Sequence, residues 1–263
     1  MLLKGKKAVV FGVASTRSIA FGIAQALRKH GCDVILNYQN EKLSERVIKL
    51  GQSIGAIAAY PCDMGSDDEI LAFFKKVDTH WKKFDAIIHA VAYAPADQIG
   101  GSFVDNVSRE GFRIAHEVSS YSLAAVSQAA KSRLNVGGSI TTMTYIASQR
   151  VIPNYNTMSL AKASLEANTR YLAYSLGSLG IRVNAISAGP IKTLAAAGIK
   201  GIRDMIHQSK KITPLKQETT TEQVGNVACF LVSDMSNGIT GDIIHVDQGF
   251  HIMGMPSPQE NES

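Results

Sequence analysis

Short runs of β-branched and aliphatic residues alternate along this chain with longer stretches whose apolar positions recur at helical spacing. Strands are predicted at residues 7–13 (KAVVFGV), 33–38 (DVILNY), 57–63 (IAAYPCD), 84–92 (FDAIIHAVA), 139–145 (SITTMTY), 181–187 (IRVNAIS) and 242–246 (DIIHV). Amphipathic helices are predicted between them, near 18–30, 42–52, 67–81, 109–133, 155–179 and 221–233. Most strand positions are apolar, as expected for strands buried on both faces, and the alternation with helices demands a parallel sheet with crossovers. The expected fold class is α/β: a Rossmann-like, doubly wound, parallel sheet of about seven strands flanked by helices. Such sheets bind ligands beyond the carboxyl ends of their strands. Irregular stretches at 93–106 and 188–214 follow predicted strands and should border that crevice. The second holds Gly189, Pro190, Gly198 and Gly201 and reads as a substrate lid over about 192–216.

Composition narrows the picture. With 263 residues, 45% hydrophobic and 19% charged, the chain can bury a full core, which excludes disordered and fibrous classes. Residues 1–263 are expected to form a single dinucleotide-binding domain, with a frayed tail over 255–263. Cys32, Cys62 and Cys229 have no paired spacing, which points to the reducing cytoplasm rather than to a disulfide framework. No signal peptide or membrane span is expected, because no apolar run approaches the ~18 residues a bilayer requires. The formal charge of +5, from 27 basic and 22 acidic residues, is too modest to imply nucleic acid as a partner. Its distribution is uneven: Lys200, Arg203, Lys210, Lys211 and Lys216 face only Asp204 within the lid. The histidines show no ligand spacing, so no metal is expected.

Candidate chemistry starts after the first strand. In Gly12-Val13-Ala14, followed by Ser18-Ile19, small residues let backbone amides approach a phosphate at a helix N-terminus. Thr16 and Ser18 replace the later glycines of G-x-G-x-x-G, so the segment also reads as an ordinary turn with Ser18 as N-cap. Gln39 stands where an acid would accept the ribose hydroxyls of NAD or a base would meet the phosphate of NADP. Its amide decides neither, since it can bond a ribose hydroxyl without repelling a phosphate; Lys42, one turn away, would welcome that phosphate, so NADH is only moderately favoured over NADPH. Asp63, beside Met64, is either an acceptor for the adenine amino group or a helix cap.

The segment YIASQRVIPNYNTMSLAK, from Tyr145 to Lys162, and NAISAGPIKT, from Asn184 to Thr193, are the most specific. With the loop above, Arg109-Glu110-Gly111-Phe112 and Ser119-Ser120-Tyr121-Ser122, they resemble the bacterial NADH-dependent enoyl-(acyl-carrier-protein) reductases. These are divergent short-chain dehydrogenases/reductases, and the resemblance runs over about residues 2–252. Ordinary members of that superfamily carry Tyr-x3-Lys. Here Met158 holds that position, and Tyr155 lies seven residues before Lys162. A carbonyl reductase protonates oxygen on the carbon that receives hydride, whereas an enoyl reductase delivers hydride two atoms farther along. The shifted tyrosine fits the second chemistry.

The resemblance implies NADH-dependent reduction of the trans-2 double bond of an enoyl thioester on an acidic acyl carrier protein, the last step of fatty-acid elongation. Tyr155 would donate to the enolate oxygen. Lys162 would bond the nicotinamide ribose and place a cation beside the developing anion, and Tyr145 and Ala94 would border the acyl chain. Gly12, Ser18, Ile19, Gln39, Asp63, Met64 and Val91 would hold the cofactor, with Ile191, Lys192, Thr193, Leu194 and Ala195 covering its nicotinamide and pyrophosphate. It also implies a homotetramer formed through the helices at 109–133 and 155–179, with Lys200 and Arg203 as candidate contacts for the carrier. Phe11, Ala90, Ala92, Ser159 and Gln248 depart from the family pattern; the methyl group of Ala92 would narrow the nicotinamide pocket. Outside this pattern, Tyr155 would read as a packing residue and Lys162 as a surface charge.

Overall fold

The computed structural model describes residues 1–194, 196 and 201–255, with 202 and 203 described by backbone alone. Seven strands form one sheet: β1 (Lys7–Phe11), β2 (Asp33–Tyr38), β3 (Ala58–Pro61), β4 (Phe84–His89), β5 (Leu134–Thr144), β6 (Arg182–Ala188) and β7 (Ile243–Val246). Their order is β3-β2-β1-β4-β5-β6-β7, and every neighbouring pair is parallel. The chain therefore leaves β1 in both directions, and the crevice between β1 and β4 is the switch point where such sheets take ligands.

Alternation along the strands explains the two layers of helices. Ala8 and Val10 of β1, with Val34 and Leu36 of β2, enter a core shared with α1 (Ile19–Lys29), α2 (Glu41–Ile54) and α9 (Thr221–Val232). Val9, Phe11 and Ile35 point the other way, against α3 (Asp67–Val77), α6 (Ser122–Ala130) and α7 (Asn156–Gly177). The remaining helices are α4 (Phe103–Asn106), α5 (Arg109–His116) and α8 (Ile202–Ile212). On the first face α1 and α9 approach closely: a Cβ on Gly225 would stand 2.8 Å from that of Ala26 and 3.0 Å from the Gly22 carbonyl oxygen.

Several elements differ from the sequence expectation. β5 begins five residues early, where Leu134 pairs with Phe84 across a register irregularity; Asn135, Gly137 and Gly138 hide this from the apolar pattern. The helix expected at 109–133 is α5 and α6 joined by a π-helical turn, Glu117–Tyr121, which advances the apolar phase by one residue. Within the stretch expected to be irregular, α8 starts after Gly201, whose left-handed φ of 79° turns the chain into the helix. β1 and β4 end at Phe11 and His89, earlier than predicted, so the residues after them face the crevice. The tail expectation lies outside the described residues beyond Met255. Among the described residues, no helix is long and apolar enough to cross a membrane.

Candidate active site

Beyond the carboxyl ends of the strands lies a cavity of about 700 Å³. Gly12, Ser18, Ile19, Gln39, Asp63, Met64, Val91, Ala94, Tyr145, Tyr155, Lys162, Ile191, Thr193 and Leu194 all line it. Lys192 is exposed and is not part of the wall. Ala195, Lys200 and the side chain of Arg203 lie outside the described residues. Ala90 and Ala92 are in the wall, as are Gly189 and Met205, from the stretch expected to border the crevice, and Asn37, Cys62, Met143 and Thr144, which the sequence did not single out as site residues.

At one end, short polar side chains and the backbone set the geometry. Gly12 has φ 102°, and a Cβ there would sit 2.1 Å from the Ala90 carbonyl oxygen, so only glycine lets β1 turn against the end of β4. The Gly12 amide donates to Asn37 Oδ1 at 2.8 Å, and Asn37 Nδ2 donates to the Cys62 carbonyl at 3.0 Å. One buried amide thus ties the ends of β1, β2 and β3. Its signal in the sequence was a polar residue inside the apolar run DVILNY. Ser18 Oγ accepts from the amides of Ala14 at 3.1 Å and Ser15 at 2.9 Å and makes no capping bond to its own helix. Its hydroxyl organises the loop, a role distinct from a simple cap. The first turn of α1 carries no acid, which leaves the helix's positive end facing the cavity uncompensated. The close backbone approach at Gly12 and that helix end fit the pyrophosphate of a dinucleotide. Asp63 is not the cap of α3, which is Ser66; its Oδ1 accepts from the Gly65 amide at 2.9 Å. Thr193 Oγ1 accepts from the Ala196 amide at 3.0 Å.

At the other end the cavity is lined by ionisable side chains. Tyr155 immediately precedes α7, between Asn154 and Asn156, whose φ values of 64° and 37° are left-handed. Asn156 Nδ2 donates to the carbonyls of Gly100 at 3.0 Å and Gly101 at 3.3 Å, and Asn154 Oδ1 accepts from the Gly101 amide at 3.2 Å. These bonds fasten the Tyr155 turn to the loop after β4 and offset the backbone cost of ~1 kcal/mol per left-handed residue. The rings of Tyr155 and Tyr145 meet at 5.1 Å and 63°. Met158, one turn before Lys162, is buried against Ala94, Ala115 and Ala161.

Lys162 is 4% exposed, and its Nζ donates to the Met143 carbonyl at 2.7 Å. Burial pushes its pKa down to about 8, with Glu166 acting in the opposite direction. Burial pushes the Tyr145 phenol up to about 12, with Asp247 adding to it. Tyr155 is held above the ordinary phenol value by burial and then by Tyr145. Both phenols are therefore protonated donors at neutral pH. Tyr145 Oη donates to Met205 Sδ at 3.7 Å, which brings α8 to the cavity. His89, fully buried, hydrogen-bonds Ser122 Oγ at 2.8 Å and Thr142 Oγ1 at 3.0 Å. Burial first and Lys162 second hold it near 3, so it is neutral.

Residues 12–251 match the family described as enoyl-(acyl carrier protein) reductase. The NADH-dependent enoyl-(acyl-carrier-protein) reductase FabI of Salmonella typhimurium is 49% identical over 96% of this chain and 97% of its own. A crystal structure of the NADH enzyme from Aquifex aeolicus superposes with a TM-score of 0.94 at 41% identity, covering 97% of this chain and all of that one (100%). The enzyme of Anaplasma phagocytophilum, solved in complex with NAD, also gives a TM-score of 0.94, at 40% identity over 98% of each chain.

Proposed function

Because the chain belongs to the enoyl-(acyl-carrier-protein) reductase family, we propose that it uses NADH to reduce the trans-2 double bond of enoyl thioesters. The observation that carries this reading is one cavity holding Tyr155 and Lys162 seven residues apart, with a buried Met158 at the position a carbonyl reductase needs for its tyrosine. Bound NADH supplies the hydride for C3 of the enoyl group. Negative charge then develops on the thioester oxygen, where the Tyr155 phenol donates a hydrogen bond; one such donor lowers the barrier by about 3 kcal/mol. Burial keeps that phenol protonated, so it stabilises the enolate without giving up its proton. Lys162, cationic below about pH 8, holds the nicotinamide ribose hydroxyls and adds positive charge beside the enolate. C2 takes its proton from solvent. Tyr145 and Ala94 bound the acyl chain, and Gly12, Ser18, Ile19, Gln39, Asp63, Met64 and Val91 hold the adenosine and pyrophosphate.

The thioester is carried by an acyl carrier protein in the cytoplasm, in the last step of fatty-acid elongation. The basic end of α8, with Lys210 and Lys211 in its last turn, supports an acidic carrier, and Lys200 and Arg203 are the proposed first contacts. Exposed Tyr171 and Tyr174 on α7, and exposed Phe112 and Tyr121 on α5 and the π turn, support a homotetramer built on these helices. Mixing the protein with NADH and crotonyl-CoA or a longer enoyl thioester should consume NADH absorbance at 340 nm (on the order of catalytic rates, ~1 s⁻¹ or more). No oxidation with any chain length at ample enzyme would overturn the reading.

A further inference from the structure

Glu166 lies on α7 one helical turn beyond Lys162, is 5% exposed and has no part in the reaction above. Its Oε1 accepts from Thr144 Oγ1 at 2.8 Å and from Ser148 Oγ, and its Oε2 accepts from Gln149 Nε2 at 3.5 Å. Thr144 ends β5, Ser148 and Gln149 close the turn that follows, and Tyr145 stands between them. One carboxylate therefore joins the strand end that carries Tyr145 to the helix that carries Lys162. Burying a carboxylate is expensive, and a neutral amide would satisfy two hydroxyls at less cost. The charge itself has a use if a cation nearby needs it. We propose that Glu166 is a positioning residue of the reduction: it holds the Tyr145 turn against α7 and keeps Lys162 ionised inside the cavity. This rests on the reading of Lys162 as the cation beside cofactor and enolate.

Other titratable groups face the pair. From β4, His89 is neutral, held near pH 3 by burial and Lys162. From the residue after β5, the Tyr145 phenol is pushed up to about 12, and from the turn before α7 the Tyr155 phenol is raised by burial and by Tyr145. Beyond Glu166, His245 of β7 is pushed below its ordinary value by burial and by His251, against the pull of Asp247, Glu166 and Asp242. His251 stacks on it with ring centroids 4.0 Å apart, and its Nδ1 pairs with Asp247.

The sign of the effect follows. Lys162 acts as an ammonium, so activity falls as pH rises through its pKa near 8, and Glu166 holds that pKa up. The test follows kcat/KM for crotonyl-CoA against pH at saturating NADH, with Tm recorded for each variant. Gln keeps the shape and one acceptor, so E166Q isolates the charge: its basic limb should move about one pH unit lower. A folded E166Q with the basic limb unmoved overturns the proposal. Ser148→Ala keeps the charge and loosens the turn; its limb should stay in place while kcat drops roughly fivefold. An unchanged kcat in Ser148→Ala overturns the positioning role even if E166Q fails to fold. Lys162→Ala separates the two levels: if its rates match wild type, the reading of Lys162 itself is wrong. If they collapse while the E166Q limb stays put, only the role of Glu166 is lost.

Discussion

The two ends of the cavity solve different problems with different materials. At the nucleotide end, Gly12, Asn37 and Ser18 are uncharged, and the geometry is set by backbone amides that one side-chain amide and one hydroxyl hold in place. On the proposed reading this end takes a pyrophosphate, which is ionised at every relevant pH, so a fixed backbone and the positive end of a helix suffice. At the proposed reaction end, Tyr145, Tyr155 and Lys162 are ionisable and half-buried or buried, and the proton inventory of each is set by its surroundings. Binding here depends on shape, and chemistry depends on desolvation.

If that division holds, variants at the two ends should fail in different ways. The largest effect is expected for Tyr155→Phe: kcat should fall about 10²- to 10³-fold while NADH affinity, read by fluorescence titration, stays near wild type. A parallel loss of NADH affinity would break the division. Next comes Asn37→Ala, which removes the partner of the Gly12 amide and of the Cys62 carbonyl. Denaturant titration should show a loss of about 1 to 3 kcal/mol, with KM for NADH raised more than kcat is lowered. A drop in kcat with unchanged KM would put Asn37 in the wrong half. The smallest effect belongs to Gln248→Gly. Gln248 has φ 61°, and its Nε2 donates to Gln223 Oε1 at 2.7 Å and to the Glu218 carbonyl at 3.4 Å, tying the end of β7 to the start of α9. Glycine relieves the left-handed backbone and deletes those bonds, so stability should change by less than about 1 kcal/mol. A larger Tm shift would show that one of the two opposing contributions dominates.

The reaction end was the more legible in the sequence. Tyr155, just before α7, and Met158 and Lys162 within it stand out by their spacing, and the structure brings Tyr145, Tyr155 and Lys162 into one wall. The nucleotide end was legible only in outline, because backbone amides leave no residue-type signature; Gly12 was visible, but Asn37 read as one polar residue in a strand. Strand β2 matches its predicted span, because Val34, Ile35, Leu36 and Tyr38 carry the apolar pattern across it despite Asn37. The π turn was invisible for a physical reason: a one-residue insertion leaves apolar residues on both sides at helical spacing. It matters for the site, because Ser119 in that turn both donates to the Tyr93 carbonyl and accepts from the Tyr93 amide, at 3.0 and 2.9 Å. Met205 and α8 were missed because the charges and glycines of that stretch outweighed its helical periodicity.

The Ser18 hydroxyl carries one more consequence, for the enzyme's life between turnovers. An oxidised nucleotide must leave and a reduced one enter for every substrate converted. A loop whose amides depended wholly on phosphate would have to reorganise, or expose unpaired donors, at each exchange. Because Ala14 and Ser15 already have a partner in Ser18, neither amide is left unpaired when no phosphate is bound, and on the proposed reading the loop has nothing to rebuild between one nucleotide and the next.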